Sequence, residues 1–255
     1  MRVALGAGAT AAVMMLAACG IDAPRLPFES TPEGVQTQPT VVADAGASAP
    51  LVTPGLTIEY DIDDPSAITV VVTKTRPLDP IDYAPADLVS VVGVPGRGSQ
   101  SLRAVAAEAM TRMYEAALEA GAPFSILSTY RPYGVQRSLY SGYVSASGRA
   151  AADRVSARPG FSEHQTGLAA DVFDVQANQL KASFGTSAAG EWLAANAYRY
   201  GYIVSYPNGK EAVTGYKWEP WHLRFVGLDV AASMHDQGVV TLQEFMGVGA
   251  SPSYE

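Results

Sequence analysis

Apolar and polar positions follow helical or strand periods only from about Leu56 onward. Ile68-Thr69-Val70-Val71-Val72-Thr73 is a β-branched run and predicts a strand. A loop with Pro77, Pro80 and Pro85 follows. Between Ser99 and Ala120, the residues Leu102, Val105, Ala109, Met113 and Ala116 recur at helical spacing. Ser99 or Ser101 is the expected cap of that helix, and Gly121 and Pro123 its terminators. Phe124 to Ser128 reads as a short strand. Val135 to Val144 reads as a helix with Val135, Leu139, Tyr140 and Tyr143 turned inward. Leu168 to Val172 is a strand pattern, Ala188 to Tyr200 a helix stopped by Gly201, and Tyr202 to Tyr206 a strand. Pro207-Asn208-Gly209-Lys210 is a turn, Leu223 to Val226 a strand, and Asp229 to Asp236 a last helix. Helices mixed with short, tightly connected strands predict an α+β fold: a small, mostly antiparallel sheet flanked by helices.

Upstream of that pattern the chain changes character. Arg2 precedes an uncharged run from Val3 to Ala18, which ends in Leu16-Ala17-Ala18-Cys19. This has the layout of an export signal, too short to span a bilayer comfortably. Cys19 is the one cysteine, so no intramolecular disulfide forms. Its position resembles a bacterial lipobox, which implies acylation of Cys19 and a mature lipoprotein on the outer face of the cytoplasmic membrane. Ordinary signal cleavage nearby is the alternative. The stretch from about Asp22 to Gly55 is rich in Pro, Thr, Ala, Gly and Ser and reads as a disordered tether. The expected organisation is a signal peptide over 1–18, a tether over 19–55, a domain over 56–248 and a tail over 249–255.

Composition narrows the function. The chain of 255 residues is 48% hydrophobic and carries a formal net charge of −8. An acidic chain without a basic block is repelled by phosphate backbones, so nucleic acid is not an expected partner.

Two segments carry the chemistry. One is Ser162-Glu163-His164-Gln165-Thr166-Gly167-Leu168-Ala169-Ala170-Asp171, the other Trp218-Glu219-Pro220-Trp221-His222. They hold two of the three histidines of the chain. Two imidazoles and a carboxylate leave a metal's remaining position open, as hydrolytic zinc sites require. The same set could serve an iron(II) oxygenase, but Glu219 and the export signal favour hydrolysis. Glu219 is then free to carry the proton. The Pro220-Trp221 step must turn the chain, because residues three apart on a strand face opposite ways. Trp221 is expected to pack beside the site. His164 is expected on a loop and Asp171 on the adjoining strand, with Gly167 bending the chain between them. His235 is assigned no role. Arg131 offers a guanidinium for a carboxylate substrate.

Ser162-x-His164-x-x-Gly167-x-Ala169-x-Asp171 followed by Glu219-x-x-His222 resembles the signature of the VanY-type D-alanyl-D-alanine carboxypeptidases, M15 zinc peptidases that share a fold with the Hedgehog signalling domain. The resemblance takes in Ser128-Thr129-Tyr130-Arg131-Pro132, Ala157-Arg158-Pro159-Gly160 and Thr214-Gly215-Tyr216, and spans roughly Val70 to Val226. It implies one zinc ion held by His164, Asp171 and His222, with Glu219 as base. It implies that Arg131 stabilises the scissile carbonyl or binds the substrate carboxylate, that Gln136 lies in the substrate pocket, and that Ser156 and Ser162 approach the terminal D-alanine. The implied substrates are peptidoglycan stem peptides ending in D-Ala-D-Ala. A D,D-dipeptidase, an endopeptidase and a non-catalytic wall-binding module are the alternatives. Members commonly read Arg-Tyr-Pro where this chain has Ser205-Tyr206-Pro207, and often Asn where it has Thr73.

Overall fold

Four short strands form the sheet on which the site is built. The computed structural model describes residues 60–174 and 180–254. The expected signal peptide, Cys19 and the tether lie outside the described residues. In chain order come β1 (Leu88–Ser90), β2 (Ser101–Arg103), α1 (Ala104–Glu119), β3 (Ser125–Ser128), α2 (Tyr133–Ser147), α3 (Arg149–Ala152) and β4 (Ala169–Phe173). Then follow α4 (Ala188–Asn196), β5 (Tyr202–Val204), α5 (Glu211–Thr214), β6 (His222–Phe225), α6 (Leu228–Gln237) and α7 (Leu242–Phe245). The sheet order is β3-β4-β6-β5 and every ladder in it is antiparallel. β1 and β2 pair as a separate antiparallel ribbon. This is the expected α+β class. No helix among the described residues is long and apolar enough to cross a membrane.

The main core joins the sheet to α1 and α4. Ala106, Ala109, Met110, Met113 and Ala117 of α1 pack with Ile126, Val172, Leu193, Tyr202 and Leu223. Spacings of three and four put these α1 residues on one face of the helix. Val105, expected in that stripe, is exposed. The start of the helix also differs from expectation. Ser101 is paired in β2, no side chain caps the helix, and the Asp87 carbonyl takes the Ala104 amide at 3.0 Å. The later helix starts at an unforeseen cap and passes into a 3-10 turn before the expected stop at Gly201. Ser187 caps α4 by accepting from the Gly190 amide, and Gly201 at φ 78° terminates the 3-10 turn Ala197–Tyr200.

Two further readings of the sequence are corrected. Residues 68–73 do not form a strand. Val70, Val71 and Val72 are buried, but the Arg224 guanidinium takes the Ile68 carbonyl at 3.1 Å and the Val70 carbonyl at 3.0 Å. A side chain thus satisfies backbone groups that a ladder would have paired. In α2, Val135, Leu139 and Tyr143 are exposed rather than inward, and the buried residue of that helix is Gln136. The segment set apart as a tail packs on the domain. Ser251 is buried and its hydroxyl lies 2.9 Å from that of Thr75, while the Tyr254 hydroxyl accepts from the Arg158 amide at 2.8 Å.

Candidate active site

Strand register brings the first residues together. Asp171 on β4 is the cross-strand partner of His222 on β6, and Ser128 on β3 is its partner on the other side. A register shift between Ile126 and Ser128 sets that second pairing. β4 is buried along its whole length, and Asp171 is its one polar residue. His164 arrives by a different route. It sits on the 3-10 turn Glu163–Thr166, and Gly167, at φ 69°, closes that turn in the left-handed region. A Cβ on Gly167 would lie 2.9 Å from Leu88 Cδ2 and 3.0 Å from Arg103 Cγ, so these side chains would have to shift, and the positive φ itself favours glycine. The bend carries the chain directly into β4 and sets His164 beside Asp171. The other bend is the turn at Pro220-Trp221, where the His222 amide donates to the Glu219 carbonyl at 3.1 Å.

His164, Asp171 and His222 are buried, and one donor atom from each lies within 4.8 Å of the others. His164 Nε2 is 3.1 Å from Asp171 Oδ2, and His222 Nδ1 is 3.0 Å from Asp171 Oδ1. The second nitrogen of each ring is also engaged. His164 Nδ1 lies 2.7 Å from the Thr129 carbonyl, and His222 Nε2 lies 2.9 Å from Glu163 Oε2. Each ring therefore presents a single nitrogen to the shared space.

The neighbours of the trio set its charges in opposite directions. Burial disfavours the charge on His222, yet hydrogen bonds to Asp171 and Glu163 outweigh it and push this imidazole up to about 10. Burial likewise works against the Asp171 carboxylate, but His164 and His222 hold it below the usual range. For His164, burial and then Arg131 win over Asp171, and its pKa is lowered. Two imidazole nitrogens and a carboxylate oxygen, all within 4.8 Å of one another, fit a zinc ion.

This trio forms the floor of a cleft of about 620 Å³, which Ser128, Arg131, Ser156, Ser162, Glu219 and Trp221 also line. Burial pushes Glu219 up to about 8, with His222 and Arg131 opposing and Asp171 adding to the push. Arg131 is held in a bracket. Its Nη1 donates to Gln136 Oε1 at 2.8 Å and its Nη2 to the Ser128 hydroxyl at 2.9 Å, and Nη2 lies 3.5 Å from Asp171 Oδ2. Gln136 is fully buried and is not among the residues that line the cleft. Its Nε2 donates to the Ala157 carbonyl at 2.6 Å and toward the Ser156 hydroxyl at 3.3 Å. It reaches the cleft through the residues it holds, Arg131 on one side and Ser156 and Ala157 on the other. The exposed flank of α2, Val135, Leu139 and Tyr143, joins Val155 as an apolar wall of the same cleft, which explains why those side chains are not in the core.

Ser205 is buried at the end of β5, its amide donating to the His222 carbonyl at 3.2 Å. It lies behind the site, whereas its neighbour Tyr206 lines the cleft and stacks on His222 at 4.8 Å. Sequence reasoning missed the roles of Glu163, Ser128 and Tyr206. Glu163 stands next to His164 in the motif, but no spacing rule connects it to a histidine fifty-nine positions on.

Comparison with known proteins places this geometry. The family described as VanY, D-alanyl-D-alanine carboxypeptidase, matches residues 99–228, a stretch that holds Arg131, His164, Asp171, Glu219 and His222. The chain belongs to this family. A relative, the putative carboxypeptidase YodJ of Bacillus subtilis (strain 168), is 38% identical over 190 residues, covering 72% of this chain and 68% of YodJ. The solved structure of the LD-carboxypeptidase LdcB has a TM-score of 0.67 at 38% identity, over 72% of this chain and 87% of that one. The structure of VanYB in complex with D-alanine-D-alanine has a TM-score of 0.60 at 28% identity, over 70% of this chain and 97% of that one. Another VanY structure, in complex with Zn(II), has a TM-score of 0.58 at 28% identity, over 72% of this chain and 99% of that one.

Proposed function

We propose that the protein is a zinc-dependent carboxypeptidase that hydrolyses the terminal D-alanine from peptidoglycan stem peptides. The observation that carries this reading is the buried His164, Asp171 and His222 trio at the floor of a cleft that also holds Glu219 and Arg131. The Zn(II) complex of one VanY structure and the D-alanine-D-alanine complex of another support it.

Zinc held by these three residues supplies a Lewis acid and a water ionisable near neutral pH. The chain's own groups do the rest. Arg131, clamped by Gln136 and Ser128, presents its guanidinium to the substrate's terminal carboxylate or to the oxygen that gains charge at the scissile carbonyl. Glu219 takes a proton from the attacking water and returns it to the departing amine. A carboxyl displaced toward neutrality by burial suits both halves of that exchange. Ser156, Ser162 and Trp221 line the same cleft beside these groups. Replacing Glu219 with alanine is expected to lower kcat by about 10²- to 10⁴-fold while zinc stays bound by elemental analysis. Wild-type turnover by that variant would reject the assignment.

A second reading is favoured by one observation: LdcB, an LD-carboxypeptidase, has a TM-score of 0.67 and 38% identity. On that reading the substrate is a tetrapeptide whose terminal D-alanine follows an L-centre. Mass spectrometry of products from pentapeptide, tetrapeptide and free D-alanyl-D-alanine separates the two, and also the dipeptidase and endopeptidase alternatives. The N-terminal sequence supports export and anchoring to the outer face of the cytoplasmic membrane through Cys19. Labelled palmitate should enter the wild-type chain in cells and fail to enter Cys19→Ala.

A further inference from the structure

We infer that Glu163 is a positioning residue for the metal: with Arg224 behind it, it fixes the tautomer and rotation of His222 so that Nδ1 faces the ion. This rests on the zinc reading proposed above. The argument starts from Arg224, which lies on β6 two residues after His222 and is completely buried. Three carbonyls lock its guanidinium: Phe225 at 3.0 Å, Ile68 at 3.1 Å and Val70 at 3.0 Å. Its remaining nitrogen, Nη1, makes no hydrogen bond and points toward Glu163, with Oε1 at 3.6 Å. A fixed buried cation thus stands against one oxygen of Glu163, and the other oxygen, Oε2, sits 2.9 Å from His222 Nε2. An ionised carboxylate only accepts hydrogen bonds, so the proton on Nε2 belongs to His222. In the neutral ring that metal binding requires, Nδ1 then carries the lone pair, and Nδ1 is the atom beside Asp171.

The two histidines differ in this respect. A backbone carbonyl holds His164, whereas a carboxylate holds His222. A carboxylate partner raises the basicity of a metal-bound imidazole as well as fixing its orientation, and such partners change metal affinity about 10- to 100-fold when removed. Glu163 does not line the cleft, so its effect reaches the reaction through His222 and not through substrate.

The test is zinc affinity by competition with a chromophoric chelator, for wild type, Glu163→Ala and Glu163→Gln. Glu163→Ala is expected to bind zinc about 10- to 100-fold more weakly. At saturating zinc its KM for a stem peptide should stay within about twofold while kcat falls. Glu163→Gln keeps an acceptor oxygen at the same reach and should recover part of the affinity. Equal affinity of Glu163→Ala and wild type overturns the inference. A measurement on wild type stands if the alanine variant does not fold. In zinc-loaded, ¹⁵N-histidine-labelled protein, His222 should show a slowly exchanging proton on Nε2, and an unprotonated Nε2 overturns the inference. Failure of wild type itself to bind zinc would instead reject the zinc reading.

Discussion

Arg131 shows how neighbours fix the conformation of a single side chain. A guanidinium on a four-bond stem has many conformations, and a carboxylate-binding site needs one. Gln136 and Ser128 remove that freedom by accepting two separate N–H groups. Arg131→Lys keeps a positive charge but loses the fork, so KM for a stem peptide is expected to rise about tenfold or more, with a thermal midpoint close to wild type. Gln136→Ala reaches the same substrate effect indirectly and adds a structural cost. The Ala157 carbonyl loses its partner, and an unsatisfied buried polar group costs about 1–3 kcal/mol. Parallel kinetics and melting curves separate the variants: both raise KM, and only Gln136→Ala lowers stability. An unchanged KM in Gln136→Ala would show that Ser128 alone holds Arg131.

Among the elements, the turn that ends at Gly167 has the most influence on the site. It converts a seven-residue separation, which fits neither a helix turn nor a strand face, into side-by-side placement of His164 and Asp171. The left-handed conformation costs a residue with a Cβ about 1–2 kcal/mol, and contacts with Leu88, Arg103 and Pro85 add crowding. Gly167→Ala is therefore expected to lower stability by about 2 kcal/mol or more by denaturant titration and to weaken zinc binding as the turn shifts. An unchanged midpoint would mean that the β1–β2 ribbon yields to the added methyl. The turn was legible in sequence because glycine is the usual residue in left-handed positions. The fate of 68–73 was not. Its β-branched composition is that of a strand, but the partner of its Ile68 and Val70 carbonyls is Arg224, a residue 156 positions from Ile68, and other groups pair locally with Ile62, Ala67 and Arg76.

Across the whole molecule, one polar network ties the wall of the cleft to the C-terminus. Asp153 accepts from the Tyr140 hydroxyl at 2.6 Å and from Arg158 at 2.9 and 3.1 Å, and the Arg158 amide donates to the Tyr254 hydroxyl. Burial raises the Asp153 carboxyl, but the Arg158 and Tyr140 hydrogen bonds win and its pKa is lowered. A lowered carboxylate contributes stability that is complete above the ordinary aspartate value of about 4. That contribution is lost as pH falls through the lowered folded value. Asp153→Asn should thus be less stable than wild type by about 1 kcal/mol at pH 6, and the gap should shrink toward pH 3. Thermal midpoints of both proteins across that range check it, and a gap that widens on acidification would refute it.

Sequence alone determined the chemistry and the local breaks. His164, Asp171, Glu219 and His222 stand out because few side chains bind metals or carry protons, and Gly167, Gly201 and Pro220 mark bends because their backbones are special. The class of fold followed from short apolar runs between such bends. Tertiary structure decided which residues share a space. The register that sets Asp171 against His222, the bracket around Arg131, the outward apolar face of α2 and the contact of Glu163 with His222 all join positions far apart in the chain. Such contacts arise because each buried polar group must find a partner and each apolar face a cover. Many partners satisfy that demand equally well in sequence, and only one does in the packed molecule.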